Sequence, residues 1–342
     1  MLARWLVAVL AVVGLATSQG APLTRDSPRS TRSIGLLRIT GSEPIPSDLS
    51  GIRYLLVDAG RAGKVASLKQ SYPGLKVLAY KNLSFLIDYS ESAEGNAGVP
   101  WPQAPESWFL HDAAGNRVSS VNFEHAWFAD IGLPAYQDAW RSDVVAFLRQ
   151  APWDGVFMDD VLADPGWHLD GDYSRLGLYP TRAAYRAAER SMLAAVAPEI
   201  RGAGYLAIAN VAAARDEPGV WRDWASFTSG LMLEHFLEQG SDWAPDTRAE
   251  RAVETAGRVF LALTYGAVDS PSAGFVRASF LLFDESATRS ASIWSPDPAP
   301  SAELDLGSPI APAAWHAGSW TRRFERGTLT VHPSGGTYRV GG

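Results

Sequence analysis

The residues best placed to do chemistry are acids that end apolar runs. Trp153-Asp154-Gly155-Val156-Phe157-Met158-Asp159-Asp160 is an apolar stretch closing abruptly in two carboxylates, and Gly230-Leu231-Met232-Leu233 closes in Glu234 followed by His235. Adjacent like charges repel, and such a pair persists more easily where a substrate, cation or proton balances it. Side chains alternate along a strand, so only one of Asp159 and Asp160 is expected to face a shared cleft; Asp159 is our choice, with Asp160 its alternate. Two carboxyl groups flanking one acetal can split it: one protonates the leaving oxygen while the other stabilises or attacks the anomeric carbon. Glu234 lies between Leu233 and, past His235, Phe236, apolar company that favours the acid role; Asp159 then serves as nucleophile, and the two roles are interchangeable at this level.

Such a pair needs a scaffold that brings distant acids together. Short apolar runs recur at Ile34–Ile39, Tyr54–Asp58, Lys76–Tyr80, Gly155–Asp159, Tyr205–Asn210, Gly230–Glu234, Val259–Tyr265 and Ser292–Trp294. Between them lie helix-compatible stretches at Ala62–Ser71, Pro134–Gln150, Thr181–Gly202, Val220–Phe227, Arg248–Gly257 and Gly274–Glu285. Thr181 suits an N-cap and Pro134 a first helical turn. Eight strands alternating with helices predict parallel pairing and closure into a (β/α)8 TIM barrel. An open doubly wound sheet is the alternative, but the first strand is followed by no G-x-G-x-x-G turn.

In a barrel the site lies at the carboxyl ends of the strands. Those ends carry Arg38, Asp58, Tyr80 with Lys81 and Asn82, Asp159 with Asp160, Asn210, Glu234 with His235, Tyr265 and Trp294. Asp58 and Lys81 are candidates for holding sugar hydroxyls, with an ion pair between them as the alternative; Asn210 and His235 are candidate substrate contacts. Tyr80, Tyr265 and Trp294 could stack on sugar faces or pack the rim. A long insertion after the third strand, Leu83 to Leu133, contains Trp101, Trp108, His111 and Trp127 and is expected to build a cleft wall. A second segment, Val161 to Pro180, carries Trp167 and His168, and the tail from Gly327 to Val340 reads as a β-hairpin capping the barrel.

Composition narrows the classes. Net charge is -7 without basic clusters, which argues against nucleic-acid binding. There is no cysteine, so neither disulfides nor thiolate metal sites form. The six histidines show no H-E-x-x-H spacing, and neither a G-x-S-x-G elbow nor a P-loop occurs. Asp170 and Asp172 are two acids in one loop, too few to indicate calcium. No cofactor or metal is expected. Residues 1–18, with Arg4 before an apolar run from Trp5 to Ala16, read as an export signal, and residues 19–33 as a flexible linker ahead of a catalytic domain spanning 34–342. The expected location is extracellular, without stable membrane insertion once the signal is cleaved.

The run Asp154-Gly155-Val156-Phe157-Met158-Asp159, with Val77-Leu78-Ala79-Tyr80-Lys81-Asn82 before it and Arg323-Phe324-Glu325-Arg326-Gly327 near the end, resembles the glycosyl hydrolase-like family fifteen. That family is similar to the endo-α-1,4-polygalactosaminidases, whose barrels carry a comparable D-G-[VIF]-F-[LM]-D strand. The resemblance implies O-glycosidic bond hydrolysis in a polysaccharide, with an aspartate ending the fourth strand and a later acid as the pair, at Asp159 and Glu234. Asp160 stands where relatives often have Asn or Thr. A carbohydrate-binding barrel without catalysis, and a metal-dependent phosphodiesterase-like barrel using Asp58, Asp159 and Asp160, are the competing expectations.

Overall fold

The computed structural model describes residues 35–39, 43–238, 243–265, 271–285, 290–295, 304 and 306–342. The signal, the linker and Ile34 lie outside the described residues. Eight parallel strands close into a barrel: β1 (Gly35–Ile39), β2 (Ile52–Asp58), β3 (Lys76–Asn82), β6 (Gly155–Leu162), β7 (Leu206–Ala212), β8 (Gly230–Glu234), β9 (Val259–Tyr265) and β10 (Ala291–Ser295), with β10 pairing back onto β1. β2 shows why these runs become strands: Ile52, Tyr54, Leu55, Leu56 and Val57 are all buried, as expected where one face fills the barrel and the other meets helices. Arg53 is the polar exception, and its guanidinium donates to Ser290 O at 2.5 Å.

Six helices lie between strands among the described residues: α1 (Ala62–Ser71), α2 (Pro134–Leu148), α3 (Arg182–Gly202), α4 (Pro218–Phe227), α5 (Trp243–Thr255) and α6 (Pro271–Phe283). α2 opens on its proline. In α3, Thr181 caps the first turn by accepting from Ala184 N at 3.1 Å, and Tyr185, Ala188, Met192, Leu193, Val196 and Ile200 form the buried stripe that a helical repeat requires. Glu189 lies in the same stripe, fully buried.

The Asp154-Gly155 half of the fourth-strand motif is structural. The Asp154 carboxylate accepts from Lys69 at 2.6 Å, Lys76 at 3.1 Å and Val77 N at 2.9 Å, fastening the start of β6 to α1 and β3. A Cβ on Gly155 would stand 2.1 Å from Leu206 O, closer than any side chain tolerates, so the parallel pairing to β7 requires glycine here.

The insertion after β3 folds around a short antiparallel pair, β4 (Phe85–Ile87) and β5 (Ala126–Phe128). At the carboxyl end, the expected hairpin is half of a four-stranded antiparallel sheet: β11 (Ala314–His316), β12 (Ser319–Phe324), β13 (Gly327–His332) and β14 (Thr337–Gly341). It does not cap the barrel's end as expected. It packs along the outside of α5 and α6, with the Trp320 ring 5.1 Å from Phe283 and 6.4 Å from Trp243. Arg322 fastens it there by donating from Nη1 to the carbonyls of Leu281, Leu282 and Asp284, which are among the unpaired acceptors at the end of α6.

Candidate active site

The carboxyl ends of the strands surround a cleft of about 780 Å³, lined among others by Tyr80, Asn82, Asp159, Asp160, Asn210, Glu234 and His235. The tertiary structure therefore brings Asp159 and Glu234 to one mouth, although 75 positions separate them in sequence. Asn210 joins them. Its Nδ2 donates to Asp159 Oδ1 and to Glu234 Oε2, each at 2.8 Å. Two bonds of that length from one nitrogen hold the bridged oxygens within about 5.6 Å of each other, inside the range of carboxyl pairs that flank a single glycosidic bond.

The expectation that only one of the adjacent acids faces the cleft is corrected, because both line it. Between Met158 and Val161 the pairing to β7 shifts register: Met158 faces Ala209 and Val161 faces Val211, so Asp159 and Asp160 together oppose Asn210. That is a β-bulge with one extra residue, and Asp160 occupies the left-handed region at φ 51°. The bulge breaks the alternation and turns the second carboxylate along the cleft wall, where Asn82 Nδ2 donates to its Oδ2 at 2.5 Å.

The two acids differ in surroundings. Asp159 is 5% exposed and held by Tyr80 Oη at 2.5 Å on Oδ2 as well as by Asn210. Glu234 is half-buried, and the Tyr265 hydroxyl donates to its Oε1. Tyr80 and Tyr265 thus hold carboxylates, a role that composition alone does not separate from stacking. His235 lines the rim with its ring 5.1 Å from Tyr265, and its Nδ1 lies 2.8 Å from Glu238 Oε2. Asp58 ends β2 half-buried and does not line the cleft. Its charge reaches Tyr89, whose phenol is pushed up by burial first and then by Asp58 and Asp88. For Trp294 only the strand is described, so its side chain lies outside the described residues.

Lys81 is a second correction. It is 1% exposed and points away from the cleft, donating to the carbonyls of Ala93 at 2.7 Å, Gly95 at 2.5 Å and Ala97 at 3.2 Å, above the Phe147 ring. Burial pushes its ammonium down to about 7, against the Asp143 and Glu94 charges. It neither pairs with Asp58 nor meets substrate; it ties the insertion to the barrel. Strand alternation is the cause, since Tyr80 and Asn82 face the mouth and Lys81 between them cannot.

The cleft wall is built by other members of the insertion than expected, together with Trp167 of the segment after β6. Trp101 packs on Phe109 and Trp127 with Arg117 over it, and Trp108 packs on Tyr136, so these rings fill the insertion's own core. The cleft instead receives Tyr89, Phe123 and Trp167, which are 64%, 45% and 61% exposed. The Phe123 and Trp167 rings meet edge-on at 5.4 Å. Their exposure is the missed signal, and no sequence pattern reports it. His168 sits beneath them, 3% exposed, with Nδ1 3.0 Å from Ser120 Oγ and Nε2 4.0 Å from Asp160 Oδ1. Burial pushes its imidazole down to about 4 against the pull of Asp159, so it is neutral at neutral pH.

Among the described residues, no group of three histidine, aspartate or glutamate side chains is arranged to hold a metal ion. Asp58, Asp159 and Asp160 therefore do not form the ligand set that the phosphodiesterase-like alternative required. No helix among the described residues is long and apolar enough to cross a membrane.

Comparison with known proteins agrees on the architecture. Ega3 of Aspergillus fumigatus, solved with galactosamine, superposes with a TM-score of 0.54 at 10% identity, covering 81% of this chain and 96% of Ega3. The maltogenic α-amylase AmyB of Thermotoga neapolitana gives 0.54 at 10% identity over 88% of this chain and 86% of its own. The α-amylase of Geobacillus thermoleovorans, complexed with acarbose, gives 0.50 at 10% identity with the same two coverages. At these identities the likeness is one of fold. No curated protein sequence matches the chain. A sequence profile described as hypothetical glycosyl hydrolase family 15 matches residues 69–328, about three quarters of the chain and the span that carries both acids. The chain belongs to that hypothetical glycosyl hydrolase family 15.

Proposed function

We propose that the protein is a secreted glycoside hydrolase that cleaves O-glycosidic bonds within a polysaccharide, with Asp159 as nucleophile and Glu234 as general acid and base. The single observation that carries this reading is the Asn210 amide bridging both carboxylates at 2.8 Å each. A ceiling of about 5.6 Å between the two bridged oxygens favours the roughly 5 to 5.5 Å of retaining enzymes over the wider spacing of inverting ones. The reaction then runs through a covalent glycosyl-enzyme. Asp159 attacks the anomeric carbon as Glu234 passes its proton to the departing oxygen. A water then attacks the glycosyl ester as Glu234 takes its proton, regenerating both groups. Asn210 Nδ2 can only donate, so the proton on Glu234 belongs on Oε1, the oxygen that faces Tyr265.

The charge of the cleft extends the reading to the sugar. Glu124, Asp159, Asp160, Asp164 and Glu234 line it, and Arg215 is the one permanently charged cation among the described lining residues. Arg182 neutralises Asp164 at 2.8 Å, but the remaining field still favours a cationic unit, and an amino sugar such as the galactosamine bound by Ega3 meets that requirement. The exposed rings of Tyr89, Phe123 and Trp167 suit the apolar faces of further units along a polymer. Export follows from the reading of residues 1–18 as a signal, and amino-terminal sequencing of the exported protein checks it.

The test is release of reducing ends from a polysaccharide panel that includes amino-sugar polymers, with wild type, Asp159→Asn and Glu234→Gln. Activity in wild type, lost in both folded variants, is the expected result. NMR should show the first product with the anomeric configuration of the substrate. Wild-type rates in both variants, or binding without cleavage of every glycan, would reject the catalytic reading in favour of a binding barrel.

A further inference from the structure

The bulge that presents both acids places Asp160 at a positive φ that side chains with a Cβ resist, so other groups must hold it. The hydroxyl of Ser84 does part of this. Its Oγ lies 2.6 Å from Asp160 O and 3.0 Å from Glu189 Oε2. A hydroxyl has one proton to give, and a carbonyl can only accept. The shorter contact therefore takes the serine's proton, and the contact to Glu189 needs a proton from the glutamate side. Glu189 can supply it. The carboxyl is fully buried on α3, and burial, with the Asp160 charge adding to it, holds it well above the usual carboxylate range, against the opposing hydrogen bonds with Ser84 and the Leu162 backbone. The phenols of Tyr136 and Tyr185, both fully buried and themselves pushed up by burial, are close enough to feel its charge and bring no positive one. Glu189 is the polar member of an otherwise apolar stripe, and the reaction as written gives it no chemical step.

We propose that Glu189 is a positioning residue of the active site, whose hydrogen-bonded chain through Ser84 to the Asp160 carbonyl fixes the bulge and thereby aims the Asp159 carboxylate. The direction of the chain follows from proton count: Glu189 donates to Ser84 Oγ, and Ser84 donates to Asp160 O. An ionised Glu189 would claim the serine proton for itself and release the carbonyl. This inference rests on the glycosidase reading for the role of Asp159, but the chain itself is a structural statement that can be tested without turnover.

Three variants separate the roles. Glu189→Met fills the space without a donor, Ser84→Ala removes the relay, and Glu189→Gln keeps a neutral N–H donor. On the polymer that wild type cleaves, the Met and Ala variants should lose about 10- to 100-fold in kcat with KM within about twofold, the expected scale for a misaimed reactive group, while Gln stays within about threefold of wild type. Infrared spectra at neutral pH should show the carbonyl stretch of a buried protonated carboxyl that disappears in Glu189→Gln. A crystal structure of Glu189→Met should show Asp160 leaving positive φ. Wild-type kcat in a folded Glu189→Met, a Gln variant as impaired as Met, or no protonated carboxyl in the infrared would overturn the proposal. Should wild type cleave no glycan, the glycosidase reading fails separately, and the infrared band and the φ of Asp160 still decide whether the chain exists.

Discussion

Replacing Asn210 by leucine tests the assembly of the site most directly. The side chain is 5% exposed and of similar size to leucine, so the change removes one amide with little change of volume. What it removes is one hydrogen bond to each of two carboxylates, both at 2.8 Å. Hydrogen bonds to charged groups contribute about 1.5–3 kcal/mol each. Water entering from the open cleft recovers part of this, and part is common to ground and transition states. A net loss of about 3–4 kcal/mol in the transition state is left, which is a fall in kcat/KM of roughly 10²- to 10³-fold. The assay is initial-rate release of reducing ends over a range of polymer concentrations, alongside thermal melting to verify folding. If Asn210→Leu melts like wild type and keeps kcat/KM within about threefold, the amide does not organise the pair, and the bridged geometry cannot be what supports catalysis.

Three further outcomes follow from other parts of the structure. Trp167→Ala, which removes an exposed ring from the cleft wall, should raise KM for a long polymer about 10-fold with a much smaller effect on a disaccharide-sized substrate; equal effects on both substrates would refute stacking beyond the reacting sugar. His168 binds its proton near pH 4 when folded but near 6.5 when unfolded, so the unfolded chain gains protons first, and stability falls as pH drops from about 6.5 to about 4, by roughly 3 kcal/mol in total. Thermal melting of His168→Phe across that window should decline less steeply than wild type, and identical slopes would remove His168 from the account. Arg322→Met strips two carbonyls of α6 and that of Asp284 just after it of their donor and should cost about 2–4 kcal/mol in denaturant unfolding while leaving activity intact at 25 °C; an unchanged midpoint would mean that water replaces the guanidinium at no cost.

The elements around the barrel were legible in sequence wherever burial on two faces leaves an uninterrupted apolar run or a strong helical repeat. β8 and β9 occupy Gly230–Glu234 and Val259–Tyr265, the limits that their apolar residues set, and α1 fills Ala62–Ser71. The acid ending β8 was legible for the same reason, because an ionisable group after a buried strand marks where the chain leaves the core, whereas Asp159 and Asp160 lie inside β6, which runs on through buried Val161 and Leu162 instead of ending at Asp159 as expected. Asn210 was legible as a polar residue near the carboxyl end of its strand, which continues two residues further to Ala212, but not as a bridge, since its two acceptors lie 51 and 24 residues away in sequence and only barrel closure makes them neighbours. The bulge is likewise tertiary: nothing in Met158-Asp159-Asp160-Val161 announces that both acids oppose one residue of β7. Strand alternation applied to adjacent letters therefore predicts the wrong direction for Asp160, whereas for Lys81, between Tyr80 and Asn82, it agrees with the direction observed. The insertion shows the same limit. Its tryptophans were the conspicuous letters, yet Trp101 and Trp108 pack inside it while Tyr89 and Phe123 reach the cleft. Sequence determined which residues are apolar enough to need burial and which periodicity arranges them, because those are local properties of the chain. Which ring or carboxylate ends in the core and which in the cleft depends on partners far away in sequence, and only the folded chain decides it.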